Sequence, residues 1–551
     1  MKAFPKSYLD EKHFSFKNFL SFLSENKLLV FISTITIIIV FGVKLTTISF
    51  GIDSEIHIDT KRYLNWMEIG RFGLVGLQKL WSNFLPNQEL FNPYLAVFLG
   101  CGFLLLGTLL WCFAIDLFSN STIKKICYIP FAVLFISHQV WTEQVYFVCQ
   151  NAECLFIVLL SPLVVYLLFK GSTKFDFIMI LTGVIISTLC ISVYQGITML
   201  IYCGIFAMFI LFKENSNLDK QHYIRIFVTL IVLMVISTGS YFIINKTVKK
   251  LFHIQKNDYL TNMITIADTS ILKRILHIVL YLYNLIFANI KPLNNFVKSI
   301  VAKVARTGWN AAEQNVQPNL ITNILYAPGI IIFFIQIIKS KKRSFLYIMA
   351  AICVFLSILA LQFAGGGGIR SQYVLPFSFG FILLYATNSL SNSKYTLIYR
   401  FSFLLFMLCG AKQVLISSML NYSDVIRYKS DCRLCFELSE KITSVQTTPE
   451  TPVLLYGMHK PQVPSNYLKG NPSGYSPFEW DAGLNILDCT SRGIAFMKAQ
   501  GYNFTPVTDE TSIKKARIEA ESMPDFPLQG CVKNLGDVIV VRLSESPYKE
   551  K

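Results

Sequence analysis

The sequence predicts a polytopic α-helical membrane protein of about eleven spans, followed by a small α/β domain outside the bilayer. Three observations carry this reading. Of 551 residues, 53% are hydrophobic and only 15% charged, where soluble domains run near a quarter charged. Apolar blocks of the size needed to cross a hydrocarbon core, about 20 helical residues, recur from Lys27 to about Leu420. The Lys and Arg behind the formal net charge of +17 fall mostly in short gaps between those blocks, the bias of cytoplasmic loops. No compact basic module accompanies the charge, so nucleic acid is not expected as a partner.

Residues 1–27 read as a cytoplasmic leader, with the amphipathic stretch Phe14–Phe22 suited to the membrane surface. The first apolar run follows a mixed-charge stretch and has no small-x-small exit, so it is expected to be a retained span and not a signal peptide. Spans are expected at Leu28–Val43, Pro93–Phe118, Ile126–Trp141, Glu153–Phe169, Phe175–Val193, Ile197–Phe212 and Ile226–Ile244. Four more follow at Ile321–Ile338, Phe345–Phe363, Tyr373–Ala386 and Phe401–Leu420, giving a membrane domain over 28–420. Lys124, Lys125, Lys170 and Lys174, and the cluster Lys339, Lys341, Lys342 and Arg343, mark cytoplasmic turns. Long outer loops fall at 48–92 and 245–319. Within the second, Ile271–Ile290 is apolar but interrupted by Lys273, Arg274, His277 and Asn284. It is read as re-entrant or interfacial, because a further span would turn the Lys339–Arg343 cluster to the wrong side.

The N-terminus is thus placed inside, and residues 421–551 form a domain outside. Within it Asp424–Ser444 reads as a polar helix, Pro452–Gly457 as a strand and Pro461–Trp480 as a long surface loop. Thr490–Ala499 reads as a helix and Asp537–Leu543 as a final strand. Nine of the 13 cysteines lie in or beside apolar spans. Cys432, Cys435, Cys489 and Cys531 remain, and one or two disulfides are expected among them with the pairing open. The Cys432-x-x-Cys435 spacing lacks the second half of a zinc site.

The first outer loop carries the densest chemistry. Asp53 and Glu55 sit where span one leaves the bilayer, followed by His57 and Asp59. Acids favour the first turn of a helix for structural reasons alone. A carboxylate at a lipid–water boundary is also placed to take a proton from a sugar hydroxyl, with desolvation raising its pKa. Trp66 and Glu68 precede Arg71, which lies between Gly70 and the Phe72-Gly73 pair. Its guanidinium suits bidentate phosphate contact. A second anion candidate is Gly365–Gly368 followed by Arg370, the only basic residue in a short outer turn. Glu143, Gln144, Gln150, Asn151 and Glu153 add polar groups near membrane depth. In the tail, Glu479, Trp480 and Asp481 combine an aromatic with two acids, as sugar binding requires, although a lone Trp also serves as core. The ten Lys and Arg of residues 245–319 suit anionic headgroups.

There is no Walker A motif, no paired-His metal site and no dinucleotide fingerprint. No cofactor is expected. Asp53, Glu55 and Asp59 are hard oxygen ligands, so a divalent metal is an alternative that is not favoured.

These pieces occur together in one family. The sequence resembles the serotype-converting O-antigen glucosyltransferases of the Gtr type II family. The likeness rests on Phe50-Gly-Ile-Asp53-Ser-Glu55, Trp66-x-x-x-Gly70-Arg71-Phe72-Gly73 and Gly368-Ile-Arg370-Ser-Gln-Tyr-x-x-Pro376. In the tail it continues in Phe478-Glu479-Trp480-Asp481-x-Gly483, Gly493-Ile-Ala-Phe-Met-Lys-x-x-Gly501-Tyr502 and Met523-Pro524-x-x-Pro527-x-x-Gly530-Cys-Val532-Lys533. Phe72 stands where the family pattern leads one to expect Trp. The resemblance implies a GT-C-like membrane glycosyltransferase of the bacterial inner membrane. It would move glucose from undecaprenyl phosphate-glucose to a lipid-linked O-antigen sugar on the periplasmic side. A flippase and a donor synthase of the same pathway would be partners. The resemblance also implies that the loop-one acids are catalytic, with Asp53 the preferred general base and Glu55 second. Arg71 and Arg370 would take the donor phosphate, and Glu479, Trp480 and Asp481 the acceptor. The rival readings are a lipid-linked sugar flippase or transporter, which predicts buried charges and inverted repeats, and the same transfer with another sugar or an acyl donor.

Overall fold

The computed structural model of the protein describes residues 9, 13–60, 63–84, 92–254, 275, 278–279, 281–283, 285–286, 324, 326–360, 369–391, 396–461 and 474–548. The chain begins with α1 (Phe16–Glu25) and α2 (Lys27–Thr46). Ser15 caps α1 by accepting from the Asn18 N–H. The apolar face of α1 buries Phe19 and Phe22 against Phe113, so the leader is docked on the helices behind it. Three short helices, α3 (Ser54–Thr60), α4 (Tyr63–Glu68) and α5 (Phe72–Phe84), occupy the first loop.

The apolar runs become α6 (Pro93–Phe118), α7 (Tyr128–Ile136), α8 (Gln139–Tyr146), α9 (Asn151–Lys174), α10 (Phe177–Val193), α11 (Ile197–Asn215) and α12 (Lys220–Leu251). Next come α13 (Tyr326–Lys339), α14 (Phe345–Leu356), α15 (Val374–Ser391) and α16 (Thr396–Val445). Among the described residues, seven helices are long and apolar enough to cross a membrane, and four shorter apolar helices accompany them. Their outward faces carry Phe31, Ile35 and Ile38 on α2 and Phe177, Ile178 and Leu181 on α10, all exposed. Such a surface is stable in lipid and not in water. The inward faces interlock: Trp111 of α6 meets Phe377 of α15 at 4.3 Å between rings.

Three expectations require correction. The run Ile126–Trp141 is not one helix. It breaks at Ser137 and His138, where the Ser137 hydroxyl turns back to the Val133 carbonyl and the His138 ring caps the next helix. The last span and the polar tail helix are one continuous helix, α16, whose 50 residues extend about 75 Å, well beyond a bilayer core. The four tail cysteines are free thiols: Cys435, Cys489 and Cys531 are buried in the packing, and Cys432 Sγ lies 3.5 Å from Gln500 Oε1. Most of Ile271–Ile290, most of the loop 245–319 and Gly365–Gly368 lie outside the described residues.

Beyond α16, β1 (Val453–Tyr456), α17 (Thr490–Ala499), α18 (Glu510–Ser522), β2 (Val532–Asn534) and β3 (Ile539–Arg542) follow. The sheet runs β1-β3-β2, with β1 parallel and β2 antiparallel to β3. The apolar strand β1 is buried throughout, as a strand covered on both faces must be. The helix α18 and strand β2 have no counterpart in the sequence reading. Of the expected surface loop, Ser476, Pro477 and Phe478 are buried, not exposed.

A chain of buried ions ties the tail to the bundle. Lys44 at the end of α2 pairs with Asp424 of α16 and donates to Ser49 Oγ at 2.9 Å. Arg427 bonds Asp424 (2.8 Å) and Asp431 (2.5 Å) and reaches the Phe50 carbonyl at 3.3 Å. Asp431 accepts from Ser476 Oγ at 2.7 Å. All four charged side chains are at most 3% exposed, so removing one strands its partners in a poor solvent for charge. Arg427→Met is expected to destabilise the purified protein by about 3–5 kcal/mol, read as a lower midpoint of thermal unfolding in detergent, with Arg427→Met/Asp431→Asn recovering part of the loss.

Candidate active site

The first loop is held in place before its acids are reached. The Phe50 ring packs between Tyr428 (5.3 Å) and Phe496 (5.5 Å). Tyr146 Oη accepts from the backbone N–H groups of Ile52 and Tyr475, each at 3.0 Å, and donates to the Tyr475 carbonyl at 2.6 Å. A Cβ at residue 51 would lie 2.2 Å from that hydroxyl, so only glycine allows the approach. Asp53 then takes a left-handed backbone (φ 71°), a conformation Asp tolerates better than most residues, and α3 starts behind it.

Asp53 and Glu55 converge on one cation from the far end of the sequence. Arg492, in the first turn of α17, donates from Nη1 to Glu55 Oε1 at 2.8 Å and from Nη2 to Asp53 Oδ1 at 3.2 Å. Its Nε donates to Asp481 Oδ2 at 2.6 Å. Glu55 is fully buried, whereas the Asp53 and Asp481 side chains are each 26% exposed. Glu55 Oε2 makes no hydrogen bond among the described residues. Burial pushes the Glu55 carboxyl up to about 7, against the pull of Arg492 and with help from the Asp53 charge. Burial also lowers the pKa of His57 on the same short helix.

The two arginine candidates share Tyr194 as a neighbour, and Arg370 shares Cys149 with the acid pair. Arg71 is 7% exposed, donates from Nη1 to Gln150 Oε1 at 2.8 Å and stacks over Tyr194 at 4.5 Å and Trp66 at 5.2 Å. Its position follows from Gly70 (φ 81°), whose carbonyl accepts from Tyr241 Oη at 3.1 Å. Arg370 lies over the Phe147 ring at 3.5 Å, next to Ser371, which bonds Tyr194 Oη at 3.0 Å. Both guanidinium groups are therefore in electrostatic reach of Tyr194, while Cys149 senses Asp53, Glu55 and Arg370 together. Glu143 approaches the Arg370 backbone N–H, and burial pushes its carboxyl up to about 7 against the Arg370 charge. Around these groups Gln139, Thr142, Glu143, Gln144 and Gln150 are buried with polar atoms that no described residue satisfies. Natural interiors leave few such atoms, and their density here fits a place where hydroxyl and phosphate groups dock.

The tail candidates divide. Asp481 joins the acid cluster through Arg492. Trp480 is 39% exposed and packs its ring 4.4 Å from that of Tyr475. Glu479 is half-buried, with its pKa raised by burial against the charge of Lys460. The side chain of Asp59 lies outside the described residues. Arg492 was missed by the sequence reading: it immediately precedes the Gly493–Tyr502 motif, and nothing local distinguishes it from a solvated helix residue.

No curated protein matches this chain at a meaningful level. A family model described as glucosyl transferase GtrII matches residues 42–409, a stretch that includes Asp53, Glu55, Arg71 and Arg370 but stops short of Asp481 and Arg492. The mostly helical, membrane-type bundle and this match over the greater part of the chain agree: the protein belongs to the GtrII glucosyl transferase family.

Proposed function

We propose that this membrane glucosyltransferase takes glucose from undecaprenyl phosphate-glucose and attaches it to a sugar of a lipid-linked O-antigen, changing serotype. The transfer takes place at the periplasmic face of the inner membrane. In this reading the seven long and four shorter apolar helices fill the eleven expected spans, the N-terminus is cytoplasmic and residues 421–551 form a periplasmic α/β domain. A flippase and a donor synthase supply the lipid-linked sugar. The observation that carries the proposal is the convergence of Asp53, Glu55, Arg71 and Arg370, drawn from residues 53 to 370, on one polar region at the ends of apolar helices.

The chemistry follows from the placement of charge. Asp53 is the partly exposed member of the acid pair, so it is the one an acceptor hydroxyl can reach. The acceptor oxygen forms a bond to the anomeric carbon as its proton passes to Asp53. The bond from that carbon to the phosphate oxygen breaks with inversion through an oxocarbenium-like transition state. Arg71 and Arg370 hold the departing phosphate, whose charge grows during the step. Glu479, Trp480 and Asp481 form the acceptor side, where an exposed aromatic and two acids suit stacking and hydroxyl contact. The transfer as written uses no metal.

Asp53→Asn in membranes supplied with undecaprenyl phosphate-glucose and lipid-linked O-antigen is expected to lower glucose transfer about 10²–10⁴-fold, with EDTA leaving the wild-type rate unchanged. Undiminished transfer by the variant at equal expression would remove Asp53 as base.

The ionised form of Glu55 is the one that bonds Arg492. Because burial raises its pKa to about 7, that form gains population as pH rises through this value, and transfer should rise with it. Glu55→Gln should leave residual activity and shrink that limb to the part carried by Glu143, which is also raised to about 7. Arg71→Lys, which keeps charge but loses the planar fork, is expected to raise the donor KM about tenfold with a smaller change in kcat.

A further inference from the structure

The structure assigns Arg492 as the positioning residue of the acid pair: it holds the Asp53 and Glu55 carboxylates through separate nitrogens and is itself oriented by Asp481. This rests on the reading above that the two acids serve the transfer.

Each nitrogen of the guanidinium has its own carboxylate, at 3.2 Å for Asp53, 2.8 Å for Glu55 and 2.6 Å for Asp481. A planar fork with fixed donor directions sets the angles between its partners, which an ammonium does not. Arg492 is only 11% exposed, and its helix is anchored underneath. Gly493 packs against Leu455 of β1 and Phe478, and Phe496 packs on Phe50. The tail is therefore joined to loop one through an apolar contact and an ion cluster, three residues apart in loop one and four on α17. Asp53 and Glu55, two like charges with one residue between them, would repel without a cation between them. With Arg492 in place, Asp53 keeps a fixed direction at the surface and Glu55 stays ionisable although buried.

The groups facing Glu55 are Asp53 from its own loop, Tyr146 from α8, Cys149 from the turn before α9, and Arg492. Arg492 is the cation that lowers the Glu55 pKa. Its removal should make Glu55 hold its proton to higher pH. A probe independent of transfer reads this directly. Dicyclohexylcarbodiimide labels protonated carboxyl groups in apolar surroundings, and the Glu55 adduct can be quantified by mass spectrometry.

In the full-length protein in membranes, wild-type labelling of Glu55 is expected to fall as pH rises through about 7. In Arg492→Gln the fall should move up by about one pH unit or more, and in Arg492→Lys by less. In the transfer assay Arg492→Gln should lower kcat about 10²-fold, with less than about threefold change in donor KM, and Arg492→Lys should recover part of it. Asp481→Asn, which leaves the charge but loosens its holder, should give a smaller loss of kcat with the labelling midpoint close to wild type. This variant covers the case in which Arg492→Gln fails to fold. Labelling curves that coincide in wild type and Arg492→Gln, or, where that variant does not fold, wild-type kcat in Asp481→Asn, would overturn the assignment. A shifted labelling curve in a protein whose wild type transfers no glucose would leave Arg492 in its role and refute the proposed transfer.

Discussion

Arg427 is the interaction on which the rest of the structure depends. A guanidinium buried at the junction of bundle and tail is unstable unless every donor finds an acceptor. This one finds Asp424, Asp431 and the Phe50 carbonyl. Satisfying it fixes three things at once. It draws in Lys44 at the end of the first apolar helix through Asp424, it sets the start of loop one through Phe50, and it anchors Ser476 through Asp431. The tail loop and loop one are thereby brought face to face, with Tyr146 bonding the backbone of both. The long helix α16 makes this possible, because a helix that continues beyond the bilayer carries bundle and tail on one rigid axis.

On that frame two charge systems sit side by side. Acids from loop one and the tail gather around Arg492, and arginines from α5's approach and the turn before α15 gather around Tyr194. The acids pair with Arg492, whereas the two arginines lie over aromatic rings. Glycosyl transfer with a phosphate leaving group asks for this division: a carboxylate where a proton is released and cations where negative charge accumulates. Buried glutamine and threonine atoms on α8 and in the turn before α9 have no partner among the described residues, and a sugar could satisfy them with its hydroxyls.

Much of this was legible in the sequence, for reasons that differ by element. Apolar runs such as Pro93–Phe118 and Phe175–Val193 became helices with little change of boundary, the second beginning at Phe177, because backbone polar groups in hydrocarbon must be satisfied within the segment. The strands at Val453–Tyr456 and Ile539–Arg542 followed from short β-branched and apolar runs between turn residues. The break at Ser137 and His138 was not legible, since it depends on what those side chains meet and not on hydrophobicity. Nor were the free thiols of Cys432 and Cys489, where packing decides whether sulfurs meet.

For the site, the sequence by itself determined the candidates whose residue type is costly where it stands: carboxylates at the end of a span, an arginine between glycines, an arginine in a short turn. Such groups are visible without a partner because lipid makes them expensive. Only the tertiary structure decided who answers them. Arg492 is separated from Glu55 by 437 residues along the chain and lies on a helix whose local pattern is ordinary. Its role exists only because the Arg427 chain and the Phe50–Phe496 contact bring that helix onto loop one. Charge pairing across such a span of sequence is a property of the fold, since no local preference of the backbone encodes it.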